Sequence, residues 1–212
     1  MAGTRDWVAW HGPYADPGSE LSRRLRLVQG HIAGWLDERP GGSLTVVSVC
    51  AGQGRDLIGV LAGRSDADRV RATLLEQDPG NVAVARAAAR DADLSGVTVE
   101  QVDAGDRASY VGAAPADLVL LVGVFGNVSD ADVRGTVEAL PELCAPGATV
   151  IWTRGRRAPD LTPDIRRWLT DTGCAEQAFH APDDALFSVG VHRFTGRPRP
   201  LQARGSLFHF LA

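Results

Sequence analysis

The chain has 212 residues, 44% of them hydrophobic and 23% charged, and a formal net charge of −4. That size and balance suit one globular domain, and no run is apolar enough to span a membrane. An acidic balance also argues against a nucleic-acid partner, which ordinarily meets a basic surface.

Residues 1–18 hold Trp7, Trp10, His11 and Tyr14 among Gly12, Pro13, Pro17 and Gly18. The segment is irregular but too aromatic for a disordered tail, so it is expected to pack as a lid. Nothing in it resembles a secretion signal. Ser19 then caps a helix whose apolar face is Leu21, Leu25, Val28, Ile32, Trp35 and Leu36. Arg23, Arg24 and Arg26 fall off that face and read as a solvated flank. Pro40-Gly41-Gly42 ends the helix, dividing an N-terminal lid and helix (1–38) from a core (43–212) in one domain.

The core opens with an apolar, β-branched strand, Val46–Val49, and the turn Cys50-Ala51-Gly52-Gln53-Gly54-Arg55. A short helix follows from Asp56, which suits the helix N-terminus better than a ligand. Arg71–Glu76 is a second strand; Asp78-Pro79-Gly80 then starts an alanine-rich helix. Val97–Ala104 is a third strand, and Asp117–Gly123 a fourth, unbroken apolar from Leu118 to Val122 as suits a strand covered on both faces. Ser129 or Asp130 caps the next helix, and Pro146-Gly147 turns into a fifth strand ending in Arg154-Gly155-Arg156-Arg157. Those arginines suit an acidic substrate group, but more often such a cluster is a solvated loop. Pro163–Leu169 is a short helix, and Cys174–Phe179 and Ala185–Phe194 are β-rich. Leu207–Leu211 reads as a final strand and hairpin partner of Phe187–Phe194.

Strand and helix alternate with short loops. The expected fold is therefore α/β: Rossmann-like and doubly wound, with a mostly parallel seven-stranded sheet and helices on both faces. An N-terminal lid with its helix and a C-terminal β-hairpin are added to it. The ligand crevice lies at the carboxyl ends of the strands, where the strand order reverses. Glu76 stands there, about 20 residues past the turn, where such folds put a carboxylate for ribose hydroxyls. The plainer alternative is an exposed acid closing a strand. Asp103 suits the adenine amino group, or else caps the next turn.

The order of these motifs from Leu44 to Phe194 resembles the class I S-adenosylmethionine-dependent methyltransferases. The turn is similar to that of a bacterial group with a Cys-Ala-Gly-x-Gly-Arg-Asp pattern and no assigned substrate. Two positions depart from the superfamily: Ser48 stands where an acid is usual, and Cys50 where glycine is usual. The resemblance implies methyl transfer to a small-molecule acceptor, with S-adenosylhomocysteine as product. It implies cofactor contacts from Cys50, Ala51, Gly52, Gln53, Gly54, Arg55, Glu76, Gln77, Asp103, Ala104, Gly123 and Val124. Two alternatives stay open: an NAD(P)-dependent oxidoreductase and a non-catalytic cofactor-binding domain. Against the first, position 57 is leucine rather than the third glycine of a pyrophosphate cradle.

Methyl transfer needs orientation and exclusion of water more than acid–base groups. His11, in the lid, is the candidate base or proton relay, with packing as the alternative. Tyr14 and Asn127 are the other acceptor-side candidates, and each is alternatively a packing or turn residue. Cys50, Cys144 and Cys174 are far apart, which predicts reduced thiols, no metal site and a cytoplasmic setting.

Overall fold

The computed structural model describes residues 9–211, and side chains from Gly12 onward. Seven strands form one sheet: β1 (Leu44–Val49), β2 (Val70–Glu76), β3 (Val97–Gln101), β4 (Ala116–Leu121), β5 (Cys144–Gly155), β6 (Cys174–His180) and β7 (Phe187–Phe194). Their order is β3-β2-β1-β4-β5-β7-β6. The first five pair in parallel, and β7 runs antiparallel between β5 and β6. The order reverses at β1, so the crevice expected of such a sheet opens between the carboxyl ends of β1 and β4.

Side-chain alternation along the strands feeds two cores. Val46, Leu74 and Leu118 pack on one face against α1 (Glu20–Asp37), α2 (Leu57–Leu61) and α3 (Pro79–Asp91). Val47, Leu75 and Val119 pack on the other, against α4 (Asp130–Leu143) and α5 (Thr162–Asp171). Leu118–Leu121 is wholly buried because helices cover both faces of β4.

Helix starts follow local chemistry. Ser19 accepts from the Ser22 amide, Asp78 from Asn81, and Ser129 from Asp132. Pro79 occupies the first turn of α3, where its missing N–H has no partner to lose. At its other end α1 is tied to the sheet by His31, whose Nε2 lies 2.8 Å from Nε2 of His180 on β6. Among the described residues no helix is long and apolar enough to cross a membrane.

The expected C-terminal strand is overturned. Both edges of β7 are already taken, by β5 and β6, so Leu207–Leu211 has no ladder to join there. The hairpin at this end of the sheet is β6–β7 instead. Residues 205–211 cross the carboxyl edge, touching it through isolated bridges at Asp106–Ser206 and Val128–Phe210. Their apolar pattern anchors the segment: Leu207 and Phe208 are buried in the α4-side core.

His192 on β7 has no solvent exposure. Trp152 Nε1 donates to its Nδ1 at 3.3 Å, which leaves the ring proton on Nε2, 3.6 Å from Glu176. Burial outweighs the Glu176 charge and lowers the pKa from 6.5 to about 4. Between these values the unfolded chain binds the proton and the folded chain does not, so stability falls as pH drops through the window. The full effect is about 3 kcal/mol. Urea melts at pH 7 and pH 4.5 should show a smaller acid loss for His192→Gln than for the wild type. Equal losses would remove His192 as the group responsible.

Candidate functional site

A cavity of about 350 Å³ opens at the carboxyl edge, over the turn that follows β1. That turn is tied to β2 by the Ala51 amide, which donates to the Leu75 carbonyl at 2.9 Å. Three of its residues take left-handed backbone: Cys50 (φ 51), Gly52 (φ 55) and Gly54 (φ 68). Glycine adopts this freely, whereas Cys50 carries strain of about 1–3 kcal/mol. Burial, and then the charges of Glu76 and Asp103, push the Cys50 thiol well up, so it stays protonated.

Glu76 is not the exposed acid that a strand end allows. It is buried, Oε2 accepts from the Gly52 amide at 2.7 Å, and Oε1 accepts from the Asp78 amide at 2.8 Å. Burial raises its pKa while those amides pull it back. A carboxylate offers about four acceptor positions, so the backbone amides do not exhaust it, and the residue lines the cavity.

The rest of the turn forms a small polar scaffold. Gln53 Oε1 accepts from Nε and Nη2 of Arg55 at 3.0 and 2.8 Å. The Arg55 guanidinium then lies 5.4 Å from the Tyr14 ring centroid, and Arg24 Nη2 donates to Tyr14 Oη at 3.4 Å. Tyr14 is therefore held by two arginines at the cavity wall. Asp56 accepts from the Leu57 amide, as a helix-start acid does, and also lines the cavity.

Beyond β3, Asp103 accepts from the Gly105 amide at 2.7 Å, and Ala104 is buried beside it. The neighbouring cap belongs to Asp106, which accepts from Ala108. Beyond β4, Gly123 (φ 81) donates to Thr153 Oγ1 at 2.9 Å, and Asn127 Nδ2 donates to the Gly123 carbonyl at 2.7 Å. Asn127 thus braces its own turn while facing the cavity.

The cavity brings together Tyr14, Asn127, Cys50, Ala51, Gly52, Gln53, Arg55, Glu76, Gln77, Asp103, Ala104 and Gly123. Gly54 and Val124 stand behind its wall. A Cβ on Gly54 would lie 2.6 Å from Ile58 and 2.9 Å from Leu74, so this glycine serves packing. Val124 is wholly buried in the α4-side core. His11 falls in the 3-10 turn Ala9–Ala15, but its side chain, that of Trp10 and all of Trp7 lie outside the described residues.

The cavity also includes residues that the sequence did not mark: Arg24 and Leu25 of α1, Asp78, Pro79 and Asn81 at the start of α3, and Phe210. Asn81 had one signal, its place in the first turn after the Asp78 cap. Arg24 and Phe210 had none. Of the arginines at the end of β5, Arg154 and Arg156 are carbonyl clamps rather than part of a solvated cluster, whereas Arg157 is exposed. Arg154 donates to the Phe125 carbonyl and pairs with Asp130, and Arg156 holds the carbonyls of Pro182 and Ala185. Among the described residues no three His, Cys, Asp or Glu side chains gather as metal ligands would.

Residues 26–175 match a protein family described as "Putative methyltransferase". No curated protein matches the chain in sequence. An O-methyltransferase family protein from Burkholderia thailandensis superposes with a TM-score of 0.69 at 18% identity, over 92% of this chain and 61% of that one. This chain therefore spans about six tenths of that protein's length. A magnesium protoporphyrin IX methyltransferase from Synechocystis PCC 6803, with bound S-adenosylhomocysteine, superposes at 0.66 and 14% identity, over 88% and 93%. Its form with bound S-adenosylmethionine gives 0.63 at 14% identity, over 91% and 99%. At these identities the likeness is one of fold.

Glu76→Ala would strand the buried Gly52 amide and the part-buried Asp78 amide, at up to about 1–3 kcal/mol each. Urea unfolding should register a loss of about 2–5 kcal/mol without ligand. A loss below about 1 kcal/mol would mean that water replaces the carboxylate there.

Proposed function

This chain belongs to the methyltransferase family matched by its residues 26–175, and from that membership we propose that it transfers a methyl group from S-adenosylmethionine to a small-molecule acceptor. One observation carries the donor assignment. Glu76 is a buried carboxylate bonded to the glycine turn, and it lines the cavity with acceptor capacity left for hydroxyls. In this reading Glu76 takes the ribose hydroxyls, and Asp103 with Ala104 takes the adenine edge. Gln77 and Gly123 flank the adenosine. The Cys50–Arg55 turn, with Arg24, faces the amino-acid end, while Gly54 and Val124 act only through packing. The Cys-Ala-Gly-x-Gly-Arg-Asp pattern of the turn supports placement in the bacterial group that shares it. The three free cysteines support a reducing, cytoplasmic setting, and the net charge of −4 favours a small acceptor over nucleic acid.

When bound, S-adenosylmethionine supplies a methyl carried on a sulfonium, and the electron pair of the broken C–S bond stays on sulfur. The protein's own work is to orient and to exclude water. Tyr14, fixed between Arg24 and Arg55, closes one side, and Asn127, braced on Gly123, holds the other. Where the acceptor has a proton to lose, His11 serves as base or relay. A nicotinamide dinucleotide fits less well. The Gly52 amide, of the kind that cradles a diphosphate, is bonded to a carboxylate, and Leu57 stands fully buried in place of a third glycine.

S-adenosylhomocysteine at about 100 times its Kd should add about 2.7 kcal/mol of stability, a melting shift of roughly 5–10 °C at this size. NAD and NADP should give none. A shift with NAD and none with S-adenosylhomocysteine would overturn the donor assignment. A screen of radiolabelled methyl transfer then identifies the acceptor. With it, His11→Ala should lower kcat roughly 100- to 10,000-fold. An unchanged rate and pH profile would leave His11 a packing residue and the reaction driven by orientation alone.

A further inference from the structure

The segment Gly205–Leu211, which contains the expected strand Leu207–Leu211, is instead a strap tied down at both ends of the cavity. At one end the Leu207 amide donates to the Gly105 carbonyl at 2.7 Å, and the Arg107 amide donates to Gly205 at 3.1 Å. The strap lies so close here that a Cβ on Gly105 would meet the Phe208 carbonyl oxygen at 2.4 Å. In the middle, Leu207 and Phe208 are buried in the core. At the other end the Leu211 amide donates to the Asn127 carbonyl at 2.8 Å, and Phe210 bridges to Val128.

Between these ties Phe210 is 38% exposed, yet it lines the cavity together with Asp103, Ala104, Gly123 and Asn127. Its ring is positioned by an edge contact with the buried Phe208, with centroids 5.9 Å apart and planes at 68°. The strap thus joins the loop after β3 to the loop after β4 and sets an aromatic ring between them. Of these loops, Asp103, Ala104 and Gly123 are the residues assigned above to the adenosine half of the methyl donor, and they share the cavity wall with Phe210.

We propose that Phe210 is a ligand-binding residue: the strap presents its ring as a stacking wall for the adenine of the donor and of its thioether product. The inference rests on the donor assignment above and deepens it. A flat base gains from an aromatic neighbour, and every base offers a π-face for it. Because Phe208 and the two end ties hold the ring before any ligand arrives, little order has to be gained on binding. Anchoring and recognition are divided between neighbours, with Leu207 and Phe208 fixing the strap and Phe210 meeting the ligand.

The test is calorimetric titration of the full chain with S-adenosylhomocysteine and with 5′-methylthioadenosine, which keeps the adenosine half and lacks the amino acid. Phe210→Ala should weaken both ligands by about tenfold, with a ligand-free melting curve close to wild type. Phe210→Tyr should restore both affinities. Phe210→Leu fills similar space without a flat ring, so it should lose affinity for both ligands even if the alanine variant folds poorly. Unchanged affinities in the alanine and leucine variants would overturn the inference. So would a variant that weakens S-adenosylhomocysteine but not 5′-methylthioadenosine, since Phe210 would then act at the amino-acid end. A wild-type protein that binds neither ligand would remove the donor assignment and this inference together. Wild-type binding with an indifferent Phe210 would remove this inference alone.

Discussion

The geometry of the carboxyl edge depends on the pairing of one buried carboxylate with two backbone amides. β1 and β2 run in register to Val49 and Leu75, and there the ladder stops. The chain after β1 then turns through left-handed residues, and the Gly52 amide leaves the ladder's reach. Glu76, one residue beyond the last β2 position paired with β1, meets that amide with one oxygen and the Asp78 amide with the other. The turn after β1 and the start of α3 are thereby held by a single side chain. Desolvating the carboxylate costs free energy, and the charge-assisted bonds offset part of it. The same side chain that shapes the turn also lines the cavity.

Away from the cavity, a second pattern holds the fold. All 22 basic residues are arginine, since the sequence contains no lysine. Many of them clasp main-chain carbonyls where elements end. Arg86 of α3 directs Nε and Nη2 to the Val99 carbonyl of β3, and Arg69 reaches the carbonyls of Leu36 and Arg39 after α1. Arg154 and Arg156 do the same for the loops that follow β4 and β6. A planar guanidinium with five donors suits this work, whereas an ammonium offers a point charge. Arginine-rich loops in this chain are therefore structural staples, although their composition suggests solvated charge.

What could be read from the sequence was local. Ser19, Asp78 and Ser129 cap the helices they precede, because a cap is a contact three residues long. β4 was legible because a doubly covered strand admits no polar residue from Leu118 to Val122. Glu76 was legible by position, but its burial was not, since that depends on the turn folding back onto it. Leu207–Leu211 misled because alternating apolar residues serve equally well for a ladder and for a row of anchors; only the occupied edges of β7 decide between them. Arg24 and Phe210 reach the cavity through tertiary placement of α1 and of the strap, which no spacing in the chain encodes. Gly54 shows the converse: its motif is right, and its work is to let Ile58 and Leu74 close in behind the turn.

Cys50 has a chemical consequence beyond its strained backbone. A methyl sulfonium is an alkylating agent, and of all side chains a thiolate is among the most willing to be alkylated. A cysteine on the wall of such a site is a potential victim of the enzyme's own reagent. Here burial and the neighbouring carboxylates of Glu76 and Asp103 keep the sulfur protonated. A protonated thiol is a far weaker nucleophile than a thiolate, so the carboxylates that line the cavity also hold this sulfur in its unreactive form.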